Sequence, residues 1–547
     1  MIRHGGRMCY CLSVSMVFSF LLSVRVPARD CMSQRNAHLV IEYGAFTAGR
    51  SDPGTIERNN ATINNAIVQV GQAGGGIVCL PPGTFYIGPD PSKSDRAVTI
   101  AYNNITICGA GVGRTILRTN GAWDRAHLRR GNGIVIDGKG PRTDIVLKDF
   151  ELDGQAGWTG EYNWPANPTS GAGWDIFHKG IAFVVSGNCD NVLLENLYVH
   201  HYRGEILYVG GMSVGKMTVR NVKTGNTNGS NFNLYAADLL VENCEFGGPS
   251  RFWAELLSRQ NQGGYSTNRM LFRNNKFWNV LDSRINAAQI AICQGDSRPY
   301  SITFDHNEIR DCPDVFGFYK GVGGPVTITN NTITNCGTVV VFGYSGGWIN
   351  SEVNANITVE GNTIKQGESL VAFSRNRATD VVLRDNRFTG KLPTNVGTST
   401  AVIVEDGANI DRTRVENNTF RDCRTPAQDG KLIGERPLFR NNTYRATEPH
   451  EEQGITAITT ASPLVTPRYE EVKILTDADN TVVALETAHY PNGQVIKVTG
   501  GSAAKHVQFA TGQASYTVVR DRYLNGSTTL WFRYDSASAK WLETKGN

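Results

Sequence analysis

The sequence predicts an all-β parallel solenoid, closed at one end by a helix and followed by a small C-terminal β module. Three observations carry that prediction: a short phrase repeated seven times, apolar alternation inside each copy, and an asparagine at the same place in every copy. The copies read MLFRNNKF, ITFDHNEI, VTITNNTI, ITVEGNTI, VVLRDNRF, TRVENNTF and PLFRNNTY, and their shared column is Asn275, Asn307, Asn331, Asn362, Asn386, Asn418 and Asn442. Self-similarity of this kind signals stacked units, each burying its inner face against its neighbours. The column intervals of 32, 24, 31, 24, 32 and 24 residues keep one register while a loop on one side varies in length. Earlier copies keep the frame without the asparagine, placing Leu197, Val222 and Cys244 in the column.

The strand assignment rests on periodicity. Apolar residues alternate before the column (Val326 and Ile328; Ile357 and Val359), as a half-buried strand requires, and helical spacing of three and four is missing. A short polar residue then turns the chain. Stacked carboxamides can bond to one another and to turn backbone, which satisfies polar groups inside the stack.

The flanking elements come next in chain order. Arg3, His4 and Arg7 precede an apolar run from Met8 to Val24 and then Val26-Pro27-Ala28, the pattern of a secretory signal peptide over 1–28. That run is short for a membrane span, and no later stretch is long and apolar enough to be one. The expected location is secreted or periplasmic, with no membrane attachment after cleavage. His38 to Tyr43 reads as a strand. Ile56 to Val70 carries Ile63, Ala66, Ile67 and Val70 at helical spacing, a helix suited to cover the open sheet end. The solenoid is expected over 38–445, a linker over 446–469 where Thr456 to Pro467 is rich in Thr, Ser and Pro, and a β accessory module over 470–547 bearing Trp531 and Trp541. The module suits carbohydrate binding, trimerisation or plain capping.

A chain of 547 residues, 40% hydrophobic, can bury a large core. Its net charge of +4 is too mild for a nucleic-acid partner but tolerates an anionic one. Of eleven cysteines, Cys9 and Cys11 fall in the signal, and no pair has CxxC spacing. Cys312, Cys336 and Cys423 each lie five positions beyond a column asparagine and read as stacked core thiols.

Gly44-Ala45, the short helix, GGGIVCLPPGTFYIG from Gly74 and ITICGAGVGRTIL from Ile105 together resemble the N-terminal half of the pectate-lyase-like β-helix proteins. That superfamily includes polysaccharide lyases, glycoside hydrolases and phage tailspikes. The resemblance covers Val40 to Tyr444, implies a right-handed parallel β-helix, and specifies fold far better than reaction. The family's Asp-Gly-x-x-Asp-type run after Gly-Ala is replaced here by residues Phe46 to Gly54, so the entry into the first coil is expected to differ from the family's.

Solenoids bind extended polymers along outward residues of successive coils. Counting past the column aligns Asn231 to Tyr235, Arg251 to Leu257 and Asp282 to Asn286 on one strand. Phe232, Leu234, Phe252, Ala254 and Leu256 are expected to face in, leaving Asn231, Asn233, Tyr235, Arg251, Trp253, Glu255, Asp282, Arg284 and Asn286 facing out. His178, Lys179, His200, His201, Arg203 and Glu205 come from preceding coils, and an insertion from Gln155 to Gly173 adds Trp158, Tyr162 and Trp164 as a groove wall. Later coils carry bland faces at Thr338 to Phe342 and Ser369 to Phe373, so the chemistry is expected early in the stack. Any one of these residues alone suits a solvated ion pair; the cluster carries the argument.

The catalytic candidates are Arg251, Glu255, Asp282, Arg284, Arg203 and His201; the substrate-binding candidates are Lys179, His178, Asn231, Asn233, Tyr235, Trp253 and Trp164. A uronate lyase needs a base for the proton α to the carboxylate and a cation to neutralise that carboxylate, for which arginine or calcium serves. No ligand spacing specifies a metal. A hydrolase needs two carboxyls about 5 to 9 Å apart, which Glu255 with Asp282 or Glu205 with Glu255 would supply. The compact signatures of polygalacturonase-type hydrolases and mannuronan epimerases are not visible. Abundant cations beside few acids favour a lyase acting on an anionic polysaccharide. A hydrolase is the runner-up, and a non-catalytic polysaccharide binder the third reading. The oligomeric state, sugar and linkage stay open.

Overall fold

The computed structural model describes residues 31–544 except 35, 89–95, 120–131, 138–139, 156–178, 185–187, 203, 210–212, 228–229, 235, 249–251, 258–267, 279–289, 297–299, 323, 344–352, 375–376, 392–398, 424, 430–433, 446–454, 466, 468–470, 477, 491, 501–503 and 527, and a few further strand residues by backbone alone. Each coil contributes short strands that pair in parallel with the coils before and after it, so that sheets run the length of the stack. Asn268–Arg273, Tyr300–Asp305, Val326–Thr329 and Val353–Glu360 belong to the first face. Lys223–Gly225, Glu245–Gly247 and Lys276–Trp278 belong to the second. Leu207–Val209, Ser230–Leu234 and Phe252–Leu257 belong to the third. In the coils that precede these, Arg142–Asp153 and Asn188–His200 run continuously through the first and second faces.

The column asparagines sit between the first and second faces and are almost wholly buried. From Asn307 onward each Oδ1 accepts both the side-chain and the backbone N–H of the preceding member, Asn275 to Asn307 at 3.0 Å twice and Asn307 to Asn331 at 2.9 Å twice, while Asn275 Oδ1 accepts the Cys244 N–H over 2.9 Å. Each Nδ2 also bonds a strand carbonyl, as Asn331 does to Phe304 O at 3.0 Å. The residue just before the column is left-handed throughout: Asn274, His306, Asn330, Gly361, Asp385, Asn417 and Asn441 have φ between 49° and 66°. Short polar residues and glycine tolerate that conformation, which explains the composition of the position. In the early coils, where the column is apolar, a second ladder runs through this left-handed position. Asn196 Nδ2 donates to Asp149 Oδ1 over 2.9 Å, and Asn221 Nδ2 to Asn196 Oδ1 over 3.2 Å.

The interior is filled by like side chains stacked between coils. Phe246 lies on Phe277 with ring centroids 4.6 Å apart, and Phe342 lies between Phe318 and Phe373 at 5.1 and 5.0 Å. The capping helix spans Pro53–Gln72 and turns Ile56, Ile63, Ala66, Ile67 and Val70 inward. Asp52 caps it, its Oδ1 accepting the Thr55 N–H over 2.9 Å. The strand expected over His38 to Tyr43 is shorter: Ala37–Leu39 pairs with the first coil, while Val40–Tyr43 is a 3-10 turn that brings the chain toward the helix. A disulfide between Cys31 and Cys79 ties this entry to the first coil. Cys312 and Cys336 are buried and in register, as expected of stacked thiols, with Sγ atoms 3.0 Å apart; Cys423 is half-buried.

Beyond the stack, Glu471–Thr476, Val495–Gly500, Thr529–Asp535 and Lys540–Thr544 form a sheet over a separate core containing Ile474, Ile496, Phe532 and Trp541. Ile455–Ile458, inside the stretch expected to be a linker, pairs with Glu471–Thr476, so β structure begins within it. No helix among the described residues is long and apolar enough to cross a membrane.

Candidate active site

The asparagine column also indexes the outer surface of the second face. One residue past the column, Glu151, Tyr198, Lys223, Glu245, Lys276 and Glu308 stand in one row; three past it, Arg118, Asp153, His200, Gly225, Gly247, Trp278 and Arg310 stand in another. Further along the first row Lys223 is tied to Glu245 in an ion pair at 2.9 Å. The proximal end of both rows is different.

There His200 lies between two carboxylates. Its Nε2 is 3.2 Å from Glu151 Oε1, and its Nδ1 is 3.7 Å from Asp153 Oδ1. Bonding Nε2–H to Glu151 leaves the Nδ1 lone pair pointing at His201 Nδ1, with which it makes a close contact. His201 Nδ1 is also 3.8 Å from Asp153 Oδ1. Asp153 is itself anchored, Oδ2 accepting Arg118 Nε over 2.9 Å and Oδ1 accepting the Gln155 N–H over 3.0 Å. Tyr198 stacks on His200 with ring centroids 4.0 Å apart. Burial, together with the carboxylates of Glu151, Asp153 and Glu245, holds the Tyr198 phenol above its ordinary range, so it stays protonated.

His201 differs from His200 in exposure. The His200 side chain is 7% exposed and that of His201 38%. Burial and then the neighbouring His200 hold the His201 pKa below the ordinary histidine value. Its backbone is left-handed, φ 57°, at a corner where other coils place Asn226, Gly248, Asp311 and Asn335. With Nδ1 engaged by His200 and Asp153, Nε2 is the ring nitrogen left outside that cluster. On the distal side of His200 the row holds Gly225 and Gly247, and the half-buried Trp278 indole lies against Gly247, where an added Cβ would meet Cζ2 at 2.2 Å. An imidazole pair, a phenol, two side-chain-free steps and an indole thus line one surface.

Among the described residues, Asp153, His200 and His201 are the one group of three such side chains close enough to share an ion. Two nitrogens and one carboxylate do not fit calcium, which takes six to eight oxygens. They fit a borderline transition metal.

Of the residues expected from sequence, His201 falls in this cluster. Arg203, Arg251, Asp282, Arg284, His178, Tyr235 and Trp164 lie outside the described residues. Glu255 is described by its backbone, in register with Asn233 and Ala291 on the third face. Asn231 and Trp253, expected to face outward, are fully buried. Each coil enters the third face through two consecutive inward residues, so strict alternation fails there. Ile206, Asn231, Trp253, Val315, Val339, Leu370 and Ala401 share this corner row, and all are buried. The Trp253 indole packs on Phe277 with ring centroids 5.5 Å apart. Asn233 is outward by alternation but only 7% exposed. Lys179, expected at the groove surface, is 4% exposed: its Nζ sits 3.0 Å from the Tyr208 ring centroid and 3.5 Å from Glu205 Oε2. Arg118, Glu151, Asp153, Tyr198 and Trp278 were missed, and His200 was placed in the early coils without a role. The column count that indexed the third face finds them when read one and three positions on.

A family model described as "Right handed beta helix region" matches residues 258–465. Mannuronan C5-epimerase AlgE5 of Azotobacter vinelandii is 34% identical over 116 residues, 21% of this chain and 10% of that protein. Alginate lyase 7 of the same organism is 32% identical over 115 residues, 21% of this chain and 13% of that protein. The chain therefore spans only a small part of the curated relatives it matches. Among solved structures, the A-module of mannuronan C5-epimerase AlgE6 from Azotobacter vinelandii is 16% identical, covering 76% of this chain and 97% of that one with a TM-score of 0.43. Parallel pairing along the stack and the match over residues 258–465 agree on the fold, a right-handed parallel β-helix.

Proposed function

We propose that this chain is an exported polysaccharide-active enzyme that cleaves a uronate-containing, anionic polysaccharide by β-elimination at the corner formed by Asp153, Tyr198, His200 and His201. The observation that carries the reading is the partly exposed His201 imidazole in contact with His200, on which the Tyr198 phenol stacks, so that the two proton-transfer groups an elimination uses flank one buried ring. In this reading His201 is oriented through Nδ1 by Asp153 and His200. Its Nε2 takes the proton α to the uronate carboxylate, and the electron pair forms the double bond as the glycosidic C–O bond breaks. The Tyr198 hydroxyl returns a proton to the leaving oxygen. Arg203, Arg251 and Arg284 are the cations proposed from sequence to neutralise the carboxylate. Trp278 offers a sugar ring a stacking surface beyond the Gly225 and Gly247 steps. The Cys31–Cys79 disulfide supports export, since such bonds persist in oxidising compartments.

A second reading, epimerisation, is favoured by the likeness to proteins named mannuronan C5-epimerases. It shares the proton abstraction and differs in the second step, where carbon is reprotonated and the leaving oxygen is kept. Incubation of the purified chain with a panel of acidic polysaccharides in deuterated water tests both. Ultraviolet absorbance from an unsaturated uronate with new chain ends supports the lyase; deuterium at inverted C5 without new ends supports the epimerase. New reducing ends without absorbance would instead support a hydrolase, and binding without any product a non-catalytic role.

A further inference from the structure

We infer that Asp153, His200 and His201 bind a divalent cation of the zinc and cobalt type, in preference to calcium. Three donor atoms already converge: His200 Nδ1, His201 Nδ1 and Asp153 Oδ1, with the carboxylate oxygen 3.7 and 3.8 Å from the two nitrogens. Ligands held at roughly 2.1 Å in a tetrahedron stand about 3.4 Å apart, so the carboxylate is near its place and a small ring rotation separates the nitrogens. The outer support is present as well. Glu151 Oε1 lies 3.2 Å from His200 Nε2, the carboxylate–imidazole arrangement that fixes a ligating histidine with Nδ1 free for the metal. Glu151 and Asp153 set against Arg118 leave one net negative charge to receive a dication. The part-exposed His201 side leaves a fourth coordination position for water, as in open three-ligand zinc sites.

Binding has a chemical consequence for the reaction proposed above, and this part of the inference rests on that reading. When His201 Nδ1 takes the metal, its proton passes through solvent to Nε2. The lone pair assigned to proton abstraction is then gone. The loaded protein eliminates more slowly and a chelator raises the rate, the opposite of what a calcium-requiring lyase would show.

The test is titration of the full chain with cobalt chloride, monitored by visible absorption and calorimetry, with zinc and calcium chlorides as competitors and no substrate present. One equivalent of cobalt giving the intense bands of a low-coordinate site, displaced by zinc and not by calcium, is the expected result. His201→Asn, which suits the left-handed corner as Asn226 does in the next coil, should abolish the bands. Glu151→Gln should weaken binding about 10- to 100-fold. No bands, bands unchanged in His201→Asn, or displacement by calcium at equal concentration would each overturn the site. Cobalt binding that leaves elimination unaffected would keep the site and overturn the role given to His201. A bound metal with no lyase activity on any substrate would overturn the proposed reaction alone.

Discussion

The Nδ2 and the backbone N–H of Asn307 both donate to Oδ1 of Asn331 over 2.9 Å, so one carboxamide oxygen closes two hydrogen bonds between adjacent coils. Asn331→Ala leaves that backbone N–H without a partner in the interior and removes the second donor to the Phe304 carbonyl. A buried donor so orphaned costs about 1–3 kcal/mol and each further lost carboxamide bond about 1 kcal/mol, so a loss of roughly 3–5 kcal/mol is expected by denaturant unfolding. Leucine at this position should do no better, although Leu197 fills the equivalent place in an early coil. That coil carries its ladder one residue upstream, on Asn196.

Trp253 fills the interior beside Phe277, so its removal should be felt as stability. Trp253→Ala is expected to cost about 3–5 kcal/mol in thermal or chemical unfolding. A variant with unchanged stability and weakened glycan binding would place the indole in the groove instead.

His201→Asn keeps a residue suited to the left-handed corner while removing the imidazole. Elimination should fall by about 10²- to 10⁴-fold in kcat with the unfolding midpoint unchanged. Tyr198→Phe should lower kcat also, because stacking on His200 is retained while the transferable proton is lost.

Asp314 gives a pH dependence of stability. Burial raises its pKa above the ordinary carboxylate value, although Oδ1 accepts the Thr338 N–H over 2.9 Å. A raised folded-state pKa means that the native protein holds a proton the unfolded chain has released. Stability contributed by this group is therefore complete below the unfolded value of 3.8 and declines as pH climbs through the raised value. Asp314→Asn, which keeps the acceptor and removes the charge, should be more stable than the parent at neutral pH and should flatten that decline. Unfolding midpoints across mildly acidic to neutral pH check it.

The Cys31–Cys79 disulfide closes 48 residues of sequence separation at the capped end of the stack. Replacing both cysteines by serine should lower stability by about 2–4 kcal/mol. Limited proteolysis should then cut first within the N-terminal 3-10 turn and capping helix.

The stack was legible because its determinants are local and repeated. Alternation gave the strands, and the asparagines gave the corner between the first and second faces. The capping helix was visible at Ile63, Ala66, Ile67 and Val70, and only its ends moved, to Pro53 and Gln72. The candidate site was harder to find for a geometric reason. Alternation counted through a strand holds until the chain turns a corner, and at Asn231 and Trp253 two neighbours in sequence both face inward. That shifted the surface expected at the entry to the third face. Asp153 and His200 lie 47 residues apart in sequence and meet because Asn188–His200 runs beside Arg142–Asp153 in strict register. Nothing local in either segment announces the meeting. The second ladder was missed because Asn196 and Asn221 look like ordinary turn residues until the coils are superposed.

Column intervals of 24 and 32 residues have the same physical size, because each interval advances the stack by one strand spacing, roughly 4.8 Å. Length along the axis is therefore counted in coils and is indifferent to how much chain each coil spends. Excising 362–385, the 24 residues from one column asparagine to the next, would bring Asn386 onto Asn331 and reclose the ladder. The protein would shorten by one step, with the corner at His201 left where it was. Distance from that corner to the C-terminal module is thus a whole-number variable, open to change by duplication or loss of coils.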